Sequence, residues 1–205
     1  MNPVIYIVDD DPAVRSSLCS LLHSEDYQVQ DFSTPEAFLA EARSDVPSCL
    51  ILDLNMPGSD GLLVIDQMNS LMMHIPTVFL TGFGTIPTTV RAMKAVAFEF
   101  LTKPADPERL LHVVAEALQL SQNNLSQQQE LQELTLRYKS LTVREREVME
   151  LTIKGLMIKQ IAMEMSVSEI TVKVHKRNLM DKMKSRTVSD LVRASERLVL
   201  VRAQP

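Results

Sequence analysis

Short apolar runs alternate with amphipathic segments through the first 120 residues of the chain. The predicted strands are four to six residues long, and the one at 49–54 has the composition of a strand buried on both faces of a sheet. They cover residues 4–8, 27–32, 49–54, 77–80 and 98–101, and segments of helical periodicity follow them after Pro12, at 35–42, 61–69 and 87–95, and from 107. Five such units predict an α/β fold with a doubly wound, five-stranded parallel sheet.

The pattern changes after residue 120. Residues 121–140 are polar and rich in glutamine, but leucines recur in them and Gly and Pro are absent, so a long linker helix is favoured over a flexible linker. Residues 141–205 show only helical spacing, with a capping box at 142–145 and a tight turn at 166–167 between two helices. The sequence therefore predicts three segments, at 1–120, 121–140 and 141–205, the last an all-α helix-turn-helix domain.

The formal net charge of −5 conceals an uneven distribution. Residues 1–120 hold 6 Lys and Arg against 16 Asp and Glu, whereas residues 141–205 hold 13 against 8. A basic C-terminal domain suits a protein that binds nucleic-acid phosphates, although solvated basic faces are also common. Since the apolar runs are too short to cross a bilayer and no export signal precedes them, we expect a cytoplasmic protein with reduced cysteines and no membrane partner.

Carboxylates stand at the ends of two predicted strands. Asp53 closes the run at 49–54, and Asp9, Asp10 and Asp11 directly follow the run at 4–8. Parallel strands end at one edge of a sheet, so these side chains are expected to meet there and to bind a divalent cation, Mg²⁺ or alternatively Mn²⁺. Two plainer interpretations compete: Asp53 as a turn residue, and the three aspartates as a helix cap.

Two more polar side chains follow the next predicted strands. Thr81 comes directly after residues 77–80, and Lys103 comes two residues after 98–101. A hydroxyl and an ammonium beside Asp53 and a metal ion would bind the oxygens of a phosphoryl group. Each is more often an ordinary surface residue, but their joint placement predicts a phosphoryl group on Asp53.

These residues resemble a known phosphoacceptor site. Asp9, Asp10, Asp53, Thr81 and Lys103-Pro104 stand where the receiver domains of two-component response regulators carry such residues. The resemblance implies a flavodoxin-like receiver that is phosphorylated on Asp53. It also implies that a metal ion is bound by Asp10, Asp53, the backbone carbonyl of Asn55 and, through water, Asp9. Thr81 would be the switch hydroxyl and Phe100 the switch aromatic. Lys103 would bind the phosphate, and its peptide bond to Pro104 would be cis.

Two residues depart from the pattern of this family. Val96 stands where Gly is usual, and Ala105 replaces a Phe that is common after Lys-Pro. Receivers of this family commonly dimerise through the surface of the predicted helix at 87–95 and the strand at 98–101. Both departures lie near that surface, so the dimer interface is left open.

The C-terminal domain resembles the LuxR-type helix-turn-helix of the FixJ/NarL group. The residues that match are Leu141-Thr142, Arg144-Glu145, Gly155, 159–162 and 171–175. By position, the resemblance implies that bases are contacted by Lys173, Val174 and Arg177 and phosphates by Lys159, Thr171, Lys176 and Asn178. His175 is expected to pack against the core or to face a phosphate, and the helix at 189–201 to close the core or to form a dimer seam.

Together the two resemblances imply a transcription regulator rather than an enzyme, although the receiver is expected to catalyse its own phosphotransfer and slow dephosphorylation. A sensor histidine kinase would phosphorylate Asp53, and a homodimer would then bind double-stranded promoter DNA, with RNA polymerase as a further candidate partner. Two alternatives are a haloacid-dehalogenase-like phosphatase phosphorylated on Asp9 and a DNA-binding protein that works without phosphorylation. The sequence leaves open the stimulus, the kinase, the operator, whether genes are activated or repressed, and the arrangement of the two domains.

Overall fold

The computed structural model describes residues 2–56, 59–82 and 97–202. The chain divides into two compact units, Met1–Ser126 and Gln127–Pro205, called here the first and the second unit. The predicted helix at 87–95 and the departure at Val96 lie outside the described residues. Within the described ranges, no helix is both long and apolar enough to cross a membrane.

The first unit is built on a five-stranded parallel sheet, as predicted. Its strands are β1 (Val4–Val8), β2 (Gln28–Phe32), β3 (Ser48–Asp53), β6 (Thr77–Thr81) and β7 (Glu99–Thr102), in the spatial order β2-β1-β3-β6-β7. A short antiparallel pair, β4 (Asn55–Met56) and β5 (Ser59–Asp60), follows β3 and was not predicted. The helices are α1 (Pro12–Ser24), α2 (Pro35–Glu41), α3 (Gly61–Ser70) and α4 (Pro107–Lys139).

The inner strands β1, β3 and β6 are buried on both faces, which is why they appear as nearly continuous apolar runs, whereas the edge strand β2 is mostly exposed. Along β1, Tyr6 packs into the cluster on one face with Phe38 and Phe79, whereas Ile5 and Ile7 pack into the cluster on the other. The sheet therefore forms the middle layer of the unit, with helices covering both faces.

The register brings the carboxyl ends of four strands to one edge. Val8 pairs with Leu52, Asp53 with Leu80, and Thr81 with Thr102. The strand order reverses between β1 and β3, and ligands in open α/β sheets bind at such a switch point. The polar residues that follow these strands are therefore placed in one crevice.

The two cysteines are free, as expected. Cys49 is fully buried in β3, and burial raises the pKa of its thiol to about 12. Cys19 in α1 is half-buried, and burial, followed by the charge of Asp31, raises the pKa of its thiol despite the opposing charge of Arg15. Both thiols therefore remain protonated at neutral pH.

The second unit is all helical. It contains the C-terminal part of α4, followed by α5 (Val143–Ile153), α6 (Ile158–Glu164), α7 (Glu169–Met183) and α8 (Val188–Arg202). Buried apolar side chains from every one of these helices meet in one core, and they include Leu134, Val148, Ile161, Val172, Leu179 and Leu191.

Local capping interactions set the ends of these helices. The predicted capping box is present, because Thr142 Oγ1 accepts from Glu145 N and Glu145 Oε2 accepts from Thr142 N at 2.8 Å. Gly155, with φ +84°, ends α5, and Ser166, with φ 54°, makes the turn between α6 and α7. Ser168 Oγ then accepts from the backbone of α7, as the sequence predicted.

Helix α4 is continuous from Pro107 to Lys139, so the helical interpretation of the glutamine-rich segment is confirmed. Near its middle, the buried Ser121 hydroxyl accepts a hydrogen bond from Ser48 N at 3.0 Å within the first unit. Farther along, Leu134 is buried in the core of the second unit. Residues of the predicted linker therefore contribute to the packing of each unit.

Candidate phosphoacceptor site and nucleic-acid interface

Three carboxylates meet at the edge of the sheet. Asp9 follows β1 and Asp53 ends β3, and only 1% and 5% of their surfaces are exposed. Asp10 is exposed beside them, and one carboxylate oxygen from each of the three lies within 4.8 Å of the others. The predicted convergence of these aspartates is therefore present in the structure.

Lys103 is the cation that faces the two buried carboxylates. It follows β7, and its Nζ donates to Asp53 Oδ2 at 2.7 Å and to Asp9 Oδ2 at 2.5 Å. Burial disfavours the ammonium, but the hydrogen bonds to Asp53 and Asp9 outweigh burial, so the pKa of Lys103 is raised. The peptide bond from Lys103 to Pro104 is cis, as the resemblance implied.

Backbone amides hold the second oxygen of each buried carboxylate. Asn55 N donates to Asp53 Oδ1 at 3.0 Å, and Asp11 N donates to Asp9 Oδ1 at 2.9 Å. Thr81 is buried at the same edge, where its hydroxyl accepts a long hydrogen bond of 3.4 Å from Asn55 Nδ2. Thr81 therefore lies within the site, with its hydroxyl in a long contact with Asn55.

The helix-cap interpretation applies to Asp11 only. Asp11 Oδ1 accepts from Ala13 N at 2.8 Å and from Val14 N at 3.4 Å, which satisfies the first turn of α1. The carboxylates of Asp9 and Asp10 point instead into the cluster with Asp53. One run of three aspartates thus serves both purposes.

The charge of this cluster fits a hard divalent cation. In the part of the chain that the structure describes, Lys103 is the ammonium that pairs with Asp9 and Asp53, so the three carboxylates leave negative charge in excess where two of the groups are buried. The ligand atoms are all oxygens, which Mg²⁺ and Mn²⁺ prefer. The residues present are therefore suited to hold such an ion.

In the second unit, α7 separates an apolar face from a polar one. Val172, Leu179 and Met183 are buried, whereas the expected base-facing residues Lys173, Val174 and Arg177 are exposed. Of the expected phosphate contacts, Lys159 and Asn178 are exposed, and Thr171 and Lys176 are half-buried, as is His175. An exposed basic helix after a tight turn is the arrangement that enters the major groove of DNA.

Comparison with known families covers both units. The family described as "Response regulator receiver domain" matches residues 5–115, and the family "Bacterial regulatory proteins, luxR family" matches residues 139–195. The chain belongs to the response regulators with a LuxR-type DNA-binding domain. This combination of domains indicates a kinase as phosphodonor and DNA as target, and makes the protein a transcription regulator rather than an enzyme. Receiver domains typically bind Mg²⁺ in an acidic pocket, and Asp9, Asp10 and Asp53 form such a pocket.

Named relatives align with this response regulator over nearly its whole length. "Response regulator protein TodT" of Pseudomonas putida is 44% identical over 195 residues, which cover 95% of this chain and 86% of TodT. "Transcriptional regulatory protein FixJ" of Bradyrhizobium diazoefficiens is 37% identical over 193 residues, which cover 94% of each chain. The solved structure of the response regulator StyR superposes with a TM-score of 0.88 at 42% identity, over 96% of this chain and 99% of the StyR chain.

Arg15 is a residue of the response regulator's acidic site that sequence reasoning missed. Its Nη1 donates to the backbone carbonyls of Asp9 at 2.8 Å and Asp10 at 3.1 Å, and its Nε donates to Asp31 Oδ2 at 3.1 Å. The guanidinium thus ties the turn that carries two candidate metal ligands to β2. Helical spacing after Asp11 could have placed Arg15 on the side of α1 that faces the turn. Its bonds to backbone carbonyls could not be predicted, because every residue has such a carbonyl.

Gly61 was also missed as part of the response regulator's site. A Cβ at this position would lie 2.8 Å from the backbone oxygen of Asp53 and 3.2 Å from Leu54 Cα. Real Cβ atoms do not approach a backbone oxygen this closely, so the start of α3 packs on the end of β3 only because residue 61 is glycine. A glycine shortly after a strand-end aspartate was the available signal.

Phe100 lies on β7, and β6 separates β7 from the strand that ends at Asp53. Its ring stacks on Phe79 of β6, with centroids 5.1 Å apart and planes inclined by 21°, and it is partly buried against the cluster on that face. Phe79 and Phe100 are paired across β6 and β7, two residues before Thr81 and Thr102. The response regulator's expected switch aromatic is therefore packed on the strand that ends at the expected switch hydroxyl.

An ion pair between the buried Glu145 and the exposed Lys182 fixes the response regulator's α7 to α5, and it was not predicted from the sequence. Glu145, which is 3% exposed, accepts from Lys182 Nζ at 2.7 Å, and the same ammonium donates to the carbonyl of Ser140 at 3.3 Å. Burial opposes the negative charge, but the hydrogen bonds from Lys182 and Thr142 prevail, so the pKa of Glu145 is lowered. The residue that caps α5 therefore also holds the C-terminal end of the exposed basic helix.

Proposed function

We propose that phosphorylation of Asp53 by a sensor histidine kinase switches this response regulator between states that differ in dimerisation and sequence-specific DNA binding. One observation carries the proposal. Asp53 lies at the sheet edge with one oxygen on Lys103 Nζ and the other on Asn55 N, beside two further carboxylates and the Thr81 hydroxyl. This arrangement positions Asp53 as a nucleophile. It also supplies an ammonium, a hydroxyl and carboxylates for a metal ion, the groups that would bind the phosphoryl oxygens.

In the proposed reaction, an oxygen of Asp53 attacks the phosphorus of a phosphohistidine. The new O–P bond forms as the P–N bond breaks, the electron pair returns to the imidazole nitrogen, and an acyl phosphate remains on Asp53. The residues that would hold Mg²⁺ or Mn²⁺ are Asp10, Asp53, the backbone carbonyl of Asn55 and, through water, Asp9. When bound, the ion supplies positive charge against the phosphoryl oxygens.

Lys103 supplies the second positive charge. Its ammonium bridges Asp9 and Asp53 before the reaction and would bind a phosphoryl oxygen afterwards. The raised pKa keeps this group protonated throughout the neutral pH range. Lys103 is therefore proposed as the phosphate-binding residue.

Thr81 and Phe100 would pass the change to the surface. Among the described residues, the Thr81 hydroxyl has the long 3.4 Å contact with Asn55 Nδ2, which a phosphoryl oxygen would replace with a stronger hydrogen bond. Movement of Thr81 alters the end of β6, against which Phe100 stacks through Phe79. The resulting shift in population would favour a homodimer.

The output is proposed to be transcriptional control through double-stranded promoter DNA. Lys173, Val174 and Arg177 would contact bases, whereas the proposed phosphate contacts are Lys159, Thr171, Lys176 and Asn178. The proposed receiver, linker and DNA-binding segments are residues 1–120, 121–140 and 141–205. We infer a cytoplasmic location, where kinase and promoter are both accessible, and RNA polymerase as a further partner.

The test compares the full chain with Asp53→Asn in Mg²⁺, before and after a small phosphoryl donor such as acetyl phosphate. DNA binding is measured by fluorescence anisotropy and molecular mass by light scattering. We expect the donor to tighten binding and raise the mass toward a dimer in the natural protein, with no response in Asp53→Asn.

Two results would contradict the proposal in different ways. Phosphoryl label on Asp9 rather than Asp53, mapped after reductive trapping of the acyl phosphate, would favour the phosphatase alternative. Strong DNA binding that the donor leaves unchanged would favour a regulator that works without phosphorylation.

A further inference from the structure

The exposed face of α7 carries an apolar residue without a part in the core or in the site proposed above. Ile170 is 74% exposed in the first turn of the helix, whereas Val172, two residues later, is fully buried. An isolated exposed isoleucine on a protein surface needs no explanation by itself. Its neighbours on this helix face are what give it significance.

Helical spacing places Ile170 in line with the three residues proposed to face bases. Lys173, Val174 and Arg177 follow it by three, four and seven residues, and all are exposed. From its N-terminal end, this row, called here the reading row, alternates apolar and basic side chains. Ile170 therefore extends the proposed base-facing surface by one turn toward the start of α7.

The N-terminal part of the reading row is the part suited to enter DNA. Asp181 follows Arg177 by four residues and is exposed, so its carboxylate would repel phosphates at the C-terminal part of the same face. Residues near the N-terminus of a recognition helix are those that contact base edges. Ile170, the second residue of α7, stands at that end.

The first turn that carries Ile170 is held by the cap of the helix. Ser168 Oγ accepts from Thr171 N at 3.1 Å, and the hydroxyls of Ser168 and Thr171 lie 2.8 Å apart in a hydrogen bond in which either can be the donor. The isoleucine is thus presented on a formed helical turn rather than on a frayed end. A side chain held in this way loses less freedom on contact with DNA.

We infer that Ile170 determines specificity by packing on the 5-methyl group of a thymine in the major groove. The isoleucine side chain has no hydrogen-bond donor or acceptor, and the thymine methyl is the largest apolar group on the base edges of that groove. Contact with any other base would bury polar edge atoms without partners. Ile170 therefore selects an A·T pair at the base pair that it contacts, independently of the base contacted by Val174.

This inference rests on the proposed DNA-binding function, and the experiment separates the two. Duplexes that the phosphoryl-donor-treated protein selects from a random library are resynthesised with uracil in place of each thymine in turn, which removes one methyl and preserves the pairing. At one thymine in each half-site, we expect uracil to weaken binding by about fourfold, the factor that corresponds to one buried methyl-sized group. Ile170→Ala should bind the thymine and uracil duplexes equally at that position.

Met163→Ala is the matched control, because Met163 is also 74% exposed but lies on α6, outside the reading row. It should keep the natural sensitivity to uracil. A second variant, Ile170→Asn, should move the base selected at that position from thymine toward adenine, since an asparagine amide can bond two adenine groups. Both variants alter exposed side chains, so the fold should be unaffected.

Failure of the proposed DNA-binding function and failure of this inference give different results. If the natural protein selects no sequence, the proposed DNA-binding function fails and this inference fails with it. If it selects a sequence, but uracil at every thymine affects the natural protein and Ile170→Ala alike, Ile170 does not read a methyl group and the proposed function stands without it.

Discussion

A lysine bonded to a buried carboxylate occurs in both units, with opposite surroundings. In the first unit, Lys103 faces both Asp9 and Asp53, with Asp10 close by, so one ammonium is shared among an excess of carboxylates. In the second unit, Lys182 faces Glu145 alone, and the backbone of Thr142 donates to the same carboxylate. With only the described residues counted, the first group holds more carboxylates than ammonium groups, whereas in the second one carboxylate is matched by one ammonium.

This difference separates a site that can react from a contact that holds a structure. An excess of buried negative charge is relieved by adding a cation, which then also attracts a phosphoryl group. A balanced pair with its hydrogen bonds satisfied gains nothing from a ligand, and its removal leaves a buried charge unpaired. The kind of residue is the same in both places, and the charge balance decides its use.

The largest effect is expected from Lys103→Met. Without the ammonium, the phosphoryl oxygens lose a fixed positive partner, and such groups contribute on the order of a hundredfold or more to rate. We therefore expect acyl phosphate formation from a small donor to fall by about that factor, as measured on gels that retard phosphoprotein. Lys103→Arg keeps the charge and should lose less; an unchanged rate in Lys103→Met would make the pair merely structural.

Lys182→Met tests the complete pair. Glu145 would stay buried without its cation, so we expect the second unit to lose about 1–3 kcal/mol of unfolding free energy. Hydrogen exchange of peptides from residues 143–183 in the full chain measures this loss and leaves the first unit as an internal reference. Arg144→Gln, which breaks an exposed ion pair with Glu147, is the control and should change stability by no more than about 0.5 kcal/mol.

Arg15→Ala tests the first site without altering any of the three carboxylates of Asp9, Asp10 and Asp53. Groups that orient metal ligands change metal affinity about 10-fold to 100-fold, and we expect the lower figure here. Electron paramagnetic resonance of free Mn²⁺ measures the affinity directly. Arg43→Gln, at the exposed pair with Asp45, should leave it unchanged; equal affinity in Arg15→Ala would show that the turn holds its shape unaided.

The smallest effect is one of pH, and it has opposite signs in the two units. The lowered pKa of Glu145 means that its contribution to stability is present above the ordinary glutamate pKa and is lost as the pH falls through the lowered value. The raised pKa of Lys103 means that its contribution is present below the ordinary lysine pKa and is lost as the pH rises through the raised value. As the pH falls below the ordinary glutamate pKa, the second unit of the natural protein should therefore lose stability, and Glu145→Gln should lose less, as measured by hydrogen exchange.

The sequence predicted the parts of the fold that depend on local pattern. Strand runs such as 49–54, the cap at Ser168 and the box at 142–145 each follow from a few neighbouring residues, and all are present. The meeting of Asp9 with Asp53 also followed, because the rule that parallel strands end at one edge converts sequence position into proximity.

What escaped prediction depends on distances between remote residues. Lys182 and Glu145 are 37 positions apart, and no pattern in either helix marks them as partners. Gly61 matters because of a 2.8 Å approach to Asp53, which only coordinates reveal. Arg15 bonds to carbonyl oxygens that every residue possesses, so residue identity at its partners carries no signal.

Helix α4 bears on how the protein can be divided for study. Ser121 closes a hydrogen bond of the first core and Leu134 fills part of the second, so a cut after residue 120 or before residue 141 damages a core. Cleavage by a protease, or the insertion of a fused domain, should be tolerated between Ser121 and Leu134, where the side chains of residues 122–124 and 126–130 are exposed. A DNA-binding fragment that begins at Gln127 should fold, whereas one that begins at Leu141 should lack the part of α4 that packs in the second core.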